Sequence, residues 1–587
     1  MSMLASLYAR IRRLPRALKA RQEQRRSQIG EILSDERVRQ AIASEAQRLD
    51  RPAFELEREA HQRLESMSAH YHHNTVRWLD PLFGLLLRHL YPRIEFEGLQ
   101  RLQQLSESYQ LVYLPAHRSH IDYLLISWGL YQRGLPLPHI AAGENLNLPL
   151  VGRILKRGGA VFLRRSFLDD PLYTCLVRVY LEQLLLKEHS FELFIEGQRS
   201  RTGRLLPPKL GLLEMLLSHG EQQKAAPLAL VPISVNYDLC LDNSQYQREL
   251  AGTPKRPESL LGLLSSITLL FRRCGGAYLK VGEPLFTAPT QARQPTPEIA
   301  QQVMQQISGA TLASETARVA TLVLGGADNS IQRQSLEQGI ADINQLLPGL
   351  GVALPAGDQP PQQLLKSVIR RQQLSLYGQH LVASEKQSGE LCYYRNNLAH
   401  ALIMPGLLLL LAARLPAPNR STLTRLMNAL EPYIAAEFTL APQALSAQQT
   451  REVLLTQGLL RAEGIYLRPR ESLLALALMR LAETLLLRQY LLVRLIAQQP
   501  EIREQQLVET TCALATHIHR WYGHQAPDYA DERQLKPLVD TLERQHLLNR
   551  REGRLSAARD LSPILRVGRK LLPDVLIRES DHWLSQH

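Results

Sequence analysis

Two polar turns carry most of the residues able to do chemistry in this chain of 587 residues. The first lies in Leu111-Val-Tyr-Leu-Pro-Ala-His117-Arg118-Ser119-His120-Ile121-Asp122-Tyr123, an apolar run that breaks into a polar turn and re-enters an apolar stretch. A strand that delivers such a turn into a helix is where α/β sheets bind ligands. His117 and Asp122 stand five residues apart, about 140° round a regular helix at ~3.6 residues per turn, so the pair meets only if the histidine precedes the helix. Asp122 then accepts the proton of one ring nitrogen and fixes the tautomer. The other nitrogen is left to take a proton from a substrate hydroxyl, with no nucleophile required from the protein. His120 is a rival base, since a loop can bring Asp122 to either ring. The competing structural reading places Ser119 at an N-cap and Asp122 at N3, close to a capping box. It accounts for Ser119 and Asp122 and leaves both histidines over.

The second turn is Phe191-Glu-Leu-Phe-Ile-Glu196-Gly197-Gln198-Arg199-Ser200-Arg201-Thr202-Gly203-Arg204, again a strand running into a Gly-punctuated loop, here crowded with arginines. Guanidinium groups bind phosphate through directed, charge-assisted hydrogen bonds, and glycine lets the backbone approach a ligand closely. A solvated basic loop is the plain alternative. Lys156-Arg-Gly-Gly-Ala-Val-Phe-Leu-Arg164-Arg165-Ser166 sets two more arginines just after a strand, and Val231-Pro232-Ile233-Ser234 reads as a buried strand holding a proline. The cluster His70, His72 and His73 has no acid or cysteine at ligand spacing, and the five cysteines show no CxxC pair. Neither a metal, nor another cofactor, nor a disulfide framework is expected.

Short β-rich runs at 110–114, 160–163, 191–195, 228–235 and 277–281 alternate with helical stretches, which predicts an α/β architecture: a mixed, mostly parallel sheet flanked by helices. Around it the sequence predicts helical N-terminal and larger helical C-terminal regions. The expected units are a basic amphipathic membrane-surface segment over 1–30, a helical N-terminal domain over 31–92, the α/β domain over 93–286 and a mainly helical domain over 287–587. A weak echo in the last unit, Leu455 to Gly464 and Leu542 to Gly553, reads either as winged-helix modules or as ordinary helix–hairpin packing.

Lysine and arginine exceed the acids by 69 − 56 = 13, which favours anionic partners. Residues 1–30 supply eight basic residues against Glu23, a net +7, and Leu4, Leu7, Tyr8, Ile11, Leu14 and Leu18 recur at steps of three and four beside them. Leu398 to Ala413, 16 residues without a formal charge, falls short of the ~20 that span a bilayer, so no transmembrane span is expected. No signal-peptide pattern follows the basic start.

Taken in order, the four blocks resemble the motif set of the glycerolipid acyltransferases: HxxxxD, a Gly-rich FxRR block, a strand with EGxRSR and a VPxS-like strand. They are closer still to the bacterial PlsB-type glycerol-3-phosphate 1-O-acyltransferases, whose blocks look like His117 to Tyr123, Pro138 to Asn147, Lys156 to Arg165 and Glu196 to Lys209; Tyr394-Arg395-Asn396-Asn397 resembles a further landmark. Lys156 stands where that family has arginine and Gln198 where glycine is usual. The resemblance implies acyl transfer from acyl-CoA or an acyl carrier protein thioester to the 1-hydroxyl of sn-glycerol 3-phosphate, giving lysophosphatidate. Dihydroxyacetone phosphate or lysophosphatidate as acceptor, and a non-catalytic basic membrane- or nucleic-acid-binding adaptor, are the alternatives. In the resemblance, His117 is the base and Asp122 its orienter, Arg165, Arg199 and Arg201 hold the glycerol phosphate, Glu196 and Gly197 line the site, and Pro232 shapes the acyl side. Anionic membrane lipids are expected partners and nucleic acid is not, with the protein peripheral on the cytoplasmic face of the inner membrane. Deleting residues 1–30 is expected to weaken binding to anionic liposomes and to reduce its salt sensitivity, because each basic residue near such a surface contributes ~1 kcal/mol. Flotation of the truncated and full chains checks this, and equal flotation rules the segment out as an anchor.

Overall fold

The computed structural model describes residues 28–148, 151–164, 166, 169–220, 226–250, 252–253, 272–287, 294–326, 330–521 and 532–586. The proposed N-terminal anchor therefore lies almost wholly outside the described residues, and so does Arg165. Eight strands form one sheet: β1 (Arg93–Glu97), β2 (Gln110–Pro115), β3 (His139–Gly143), β4 (Ala160–Leu163), β5 (Phe191–Glu192), β6 (Leu228–Tyr237), β7 (Gly276–Val281) and β8 (Leu285–Thr287). Their order is β1-β7-β6-β2-β5-β3-β4, with β8 also on β6. From β6 to β4 every pairing is parallel; β7 and β8 run antiparallel to β6, and β1 is parallel to β7. This is the mixed, mostly parallel α/β sheet that the alternation predicts.

Parallel strands covered on both faces need apolar residues in both registers, and β2 and β6 are buried at every position. Leu111 and Tyr113 join a core shared with the C-terminal helices, while Val112 and Leu114 join the opposite core. The chain crosses between strands through helices, of which the following frame the site: α1 (Glu36–Leu49), α2 (Ala53–Met67), α3 (His73–Leu90), α4 (Leu99–Leu105), α5 (Asp122–Tyr131), α6 (Val151–Arg157), α7 (Pro171–Leu186), α8 (Leu210–Gly220) and α9 (Asn243–Leu250). Asp170 starts α7 by accepting from the Tyr173 N–H, with Pro171 at the first position.

Pro232 sits in the interior of β6, where a missing N–H would ordinarily break a ladder. Its carbonyl accepts from the Gly282 N–H at 2.9 Å, so its main chain faces the β7–β8 side. That is where pairing along β6 switches from β8, whose first residue Leu285 is opposite Leu230, to β7, whose last residue Val281 is opposite Ile233. The proline thus falls at an interruption that has no use for its N–H.

Beyond β8 the described chain is mainly helical. Leu398 to Ala413 lies inside one 30-residue helix, Glu385–Arg414, because the helix extends through polar residues that the apolar run excludes. It is the one helix among the described residues long and apolar enough to cross a membrane, and 83% of its most apolar window is buried inside the protein. The echo in the sequence is a structural repeat. The helix Ala447–Thr456 runs into the hairpin Leu460–Glu463/Tyr466–Pro469, and Glu532–Arg544 into Leu548–Arg551/Arg554–Ala557. Each is preceded by two helices and an extended contact back to the hairpin, at Asn419 in the first copy and Ile502–Arg503 in the second. That is the element order of a winged helix. Arg550 on the second hairpin pairs with Glu504, Asp540 and Glu543, so charge at the wing is answered within the module.

Candidate active site

β2, β5 and β6 are parallel neighbours, so the turns that follow them meet at one edge of the sheet. The His117 turn follows β2, and α5 begins at Asp122. The Asp122 carboxylate is fully buried and accepts on one oxygen from His117 Nδ1 at 3.0 Å and from the N–H groups of Arg118 and Ser119 at 2.6 and 2.8 Å. Its other oxygen accepts from the Tyr237 hydroxyl at the end of β6, at 2.6 Å. The capping-box reading is half present. Asp122 does reach back to the turn's N–H groups, but the Ser119 hydroxyl donates to Asp242 at 2.5 Å instead of closing the box. His120 and His117 both border the cavity described below, while the ring bonded to Asp122 is that of His117.

With Nδ1 committed to Asp122, Nε2 is the remaining ring nitrogen. Burial pushes the His117 pKa below its ordinary 6.5, against the upward pull of Asp122, so the imidazole is neutral at pH 7. Glu192, on β5, is completely buried; that burial, and then the Asp122 charge, push its pKa well above the ordinary carboxyl range.

Glu196 departs from the expectation that it lines the site. It is turned inward, accepting from the His117 N–H at 2.8 Å and the Leu206 N–H at 2.7 Å, and burial raises its pKa to about 7. It braces the His117 turn against the arginine loop, and the Ser200 N–H donating to the His117 carbonyl at 3.0 Å makes a second tie. Arg118 adds a third, donating to the Gly203 and Arg204 carbonyls at 2.7 and 3.2 Å.

The far side of the arginine loop is held by the C-terminal half. Asn396 donates to the Thr202 carbonyl and Asn397 to that of Gly203, at 2.8 and 2.9 Å. Gly203 has φ +83°, and a Cβ there would stand 2.0 Å from the Tyr393 carbonyl. Arg204 pairs with the buried Glu437 at 3.3 Å, and Glu437 is also bound by Arg488. Nothing within the turns signals these partners; Asn396 and Asn397 stand out only through the landmark they belong to, while Tyr237, Asp242 and Glu437 carry no local mark.

A cavity of about 440 Å³ opens beside His117. Gly197, Gln198, Arg199, Arg201 and Lys209 border its polar end. The rest is mainly apolar, walled by α3, α5, β3 and α6 through Val76, Phe83, Leu124, Trp128, Ile140 and Ile154, with Asp80, Ser127 and Asn145 among them. Gly197 adopts φ +67° at the turn, a conformation that suits glycine. Arg199 reaches Asp242 at 3.4 Å and Arg201 reaches Glu249 at 3.1 Å, both acids at α9, so each guanidinium is fixed from behind. Pro232 is not among the residues that line the cavity.

Residues 93–236 match the family described as Acyltransferase, and residues 246–551 match the Glycerol-3-phosphate acyltransferase C-terminal region, more than half of the chain. Two relatives named glycerol-3-phosphate acyltransferase, from Pseudomonas entomophila (strain L48) and Actinobacillus succinogenes, are each 31% identical; the alignments cover 89% and 88% of this chain and 68% of either relative. A third with that name, from Pseudomonas fluorescens (strain Pf0-1), is 30% identical over 96% of this chain and 72% of its own length. The chain belongs to the glycerol-3-phosphate acyltransferases. The two matched regions of this glycerol-3-phosphate acyltransferase meet at Gly203, where the loop of one is clasped by the helix of the other.

Replacing His117 by Ala is expected to lower kcat by ~10²- to 10⁴-fold with the fold retained, and His120→Ala by less. Activity of the wild type should fall as pH drops through a midpoint below 6.5, because the base must be neutral. Asp122→Asn removes the upward pull on that ring and should move the midpoint lower still; pH–rate profiles of the two proteins check the sign. Gly203→Ala puts a methyl group against backbone at positive φ and should cost about 2 kcal/mol or more, together with activity, measured by denaturant unfolding and turnover.

Proposed function

We propose that this chain transfers a fatty acyl group from a thioester to the 1-hydroxyl of sn-glycerol 3-phosphate, giving lysophosphatidate, and that His117, Asp122, Arg199 and Arg201 carry the reaction. The observation that carries the reading is the His117–Asp122 pair at the boundary between an arginine-lined polar end and an apolar cavity. Acylation of a phosphorylated polyol needs both ends and a base between them.

In this reading His117 Nε2 takes the proton of the acceptor hydroxyl as its oxygen attacks the thioester carbonyl. The tetrahedral adduct collapses, the carbon–sulfur bond breaks, and the imidazolium returns its proton to the departing thiolate. Ester and free thiol are the products, and His117 ends neutral. Asp122 fixes the ring and stabilises the imidazolium. Arg199 and Arg201 hold the phosphate, their own acids keeping them in place, and Gly197 lets the acceptor approach the strand end. Glu196 acts through the His117 main chain and is a positioning residue. The acyl tail lies in the apolar part of the cavity.

Acyl-CoA and acyl carrier protein thioesters are the donors in this reading, and the site of action is the cytoplasmic face of the inner membrane, where the protein is peripheral. Support comes from α3, which walls the cavity with Val76 and Phe83 while leaving Trp78, Leu82 and Leu85 exposed at 78, 59 and 71%. These three recur at steps of four and three on one helix face, with Arg77 and Arg88 exposed beside them, the pattern of a surface that meets anionic lipid. A lipid product formed in that cavity has the bilayer as its natural destination.

Incorporation of labelled glycerol 3-phosphate into lipid, run beside dihydroxyacetone phosphate and lysophosphatidate with each donor, tests the assignment; faster acylation of either rival overturns it. Arg201→Ala should raise the KM for glycerol 3-phosphate by about tenfold or more and the donor KM little, with Arg201→Lys recovering only part, since a point charge does not replace a two-pronged contact.

A further inference from the structure

A second polar concavity, of about 580 Å³, opens at the same edge of the sheet as His117, beyond β6 rather than beyond β5. Because β7 and β1 run against β6, their first residues stand beside its last: Asp238 donates its N–H to the Gly276 carbonyl, and Gly276 is opposite Arg93. At the floor, Arg93 meets Glu315 at 3.3 Å and Arg371 meets Glu315 and Asp238 at 3.2 and 3.8 Å, so charge there is balanced. At the rim, Arg272, Arg273 and Arg370 are exposed and make no hydrogen bond or ion pair with any described residue. Ser367, Gln359 and Gln372 add neutral hydrogen-bonding groups to the wall. Three guanidinium groups with no acidic partner among the described residues, set around a concave polar floor, form a receptor for a ligand carrying more than one phosphate or acidic group.

The position of the groove says which ligand. The apolar cavity extends from His117 over β3 and β4, at one side of β2. The groove lies at the other side, across β6, β7 and β1, three strand spacings or about 14 Å from β2 to β1. A fatty thioester is linear. With its carbonyl at His117 and its tail over β3 and β4, its thiol arm leaves in the opposite direction. From sulfur to phosphate a phosphopantetheine arm is about as long as four to five residues of extended chain, roughly 15 Å. We propose that the arginine groove binds the anionic headgroup of the acyl donor, the phosphate-bearing end of a pantetheine thioester. This rests on the acyltransferase reading above. The shared chemistry belongs to two sources, the adenosine 3′,5′-bisphosphate end of coenzyme A and the acidic carrier protein at its phosphodiester.

The test is steady-state kinetics of the full chain and of the Arg272→Ala/Arg273→Ala/Arg370→Ala variant with acyl-CoA, acyl carrier protein thioester and S-acyl-pantetheine, which has no headgroup. The variant is expected to raise the KM of a headgroup-bearing donor by roughly tenfold or more, leaving the glycerol 3-phosphate KM and the S-acyl-pantetheine kcat/KM unchanged. A rise with acyl-CoA, and weaker competition by adenosine 3′,5′-bisphosphate, assigns the groove to coenzyme A; a rise with the carrier thioester alone assigns it to the carrier. An unchanged KM for both headgroup-bearing donors overturns the proposal, as does an equal loss with S-acyl-pantetheine, which marks damage to the fold. Absence of glycerol 3-phosphate acylation by the wild type would sink the function itself, an outcome separate from all of these.

Discussion

One buried carboxylate organises the edge of the sheet where the His117 turn and the arginine loop meet. Asp122 has no exposure to water, and a charge placed there is tolerated only if donors replace its hydration. The donors come from three places: the His117 ring, the two N–H groups that follow it, and the Tyr237 hydroxyl at the end of the neighbouring strand. The turn must therefore curl around the carboxylate in one shape, and that shape sets the ring orientation. Asn would offer a single acceptor oxygen and turn an amide N–H₂ toward groups that also donate. The His117–Asp122 pair and the helix start are thus one interaction.

The same logic extends outward to the C-terminal half. The arginine loop has the positive φ of Gly197 and Gly203 and the charges of Arg199, Arg201 and Arg204. A loop of that composition would not hold one conformation alone. It is fixed on the turn's side by Glu196 and Arg118, on the α9 side by Asp242 and Glu249, and from above by Asn396, Asn397 and Glu437. The helix that supplies the asparagines is itself packed along Leu473–Gln498, so two repeated helix–hairpin modules serve as the frame for a clasp.

What was legible in the sequence is what is local. The His117–Asp122 spacing needs only a strand, a turn and a helix start, and the alternation of β-rich and helical runs needs only periodicity. β3 escaped because His139-Ile-Ala-Ala-Gly is short and built of small residues, with no β-branched run to mark it. Glu196 was legible as a member of a motif but not as a brace, since its burial depends on Leu206 folding back ten residues later. The spacing gives the Ser119 hydroxyl a local cap; it does accept from the Ile121 N–H, but the group it donates to lies 123 residues away. The tolerance of Pro232 in a central strand depends on where β7 and β8 change over, a tertiary fact. Long-range pairs leave no periodic trace, and the clasp on the arginine loop is made of them.

The sheet's mixed direction is what lets so much polar chemistry share one edge. In a purely parallel sheet, loops at the carboxyl edge come only from strand ends, and each must turn back into a helix. Here β6 is followed across the sheet by two strands of opposite sense, so their beginnings stand at the level of its end. Residues that lead into β1 and β7, Arg93 and Arg273 among them, thereby join Asp238 and the turn after β2 along a single line. Tyr237 and Asp238 are consecutive, yet one bonds the dyad and the other the floor of the arginine groove. Both hang on the end of β6: Tyr237 is its last residue and Asp238 the next, so the pairing of β6 with β2 and β7 fixes where both side chains stand.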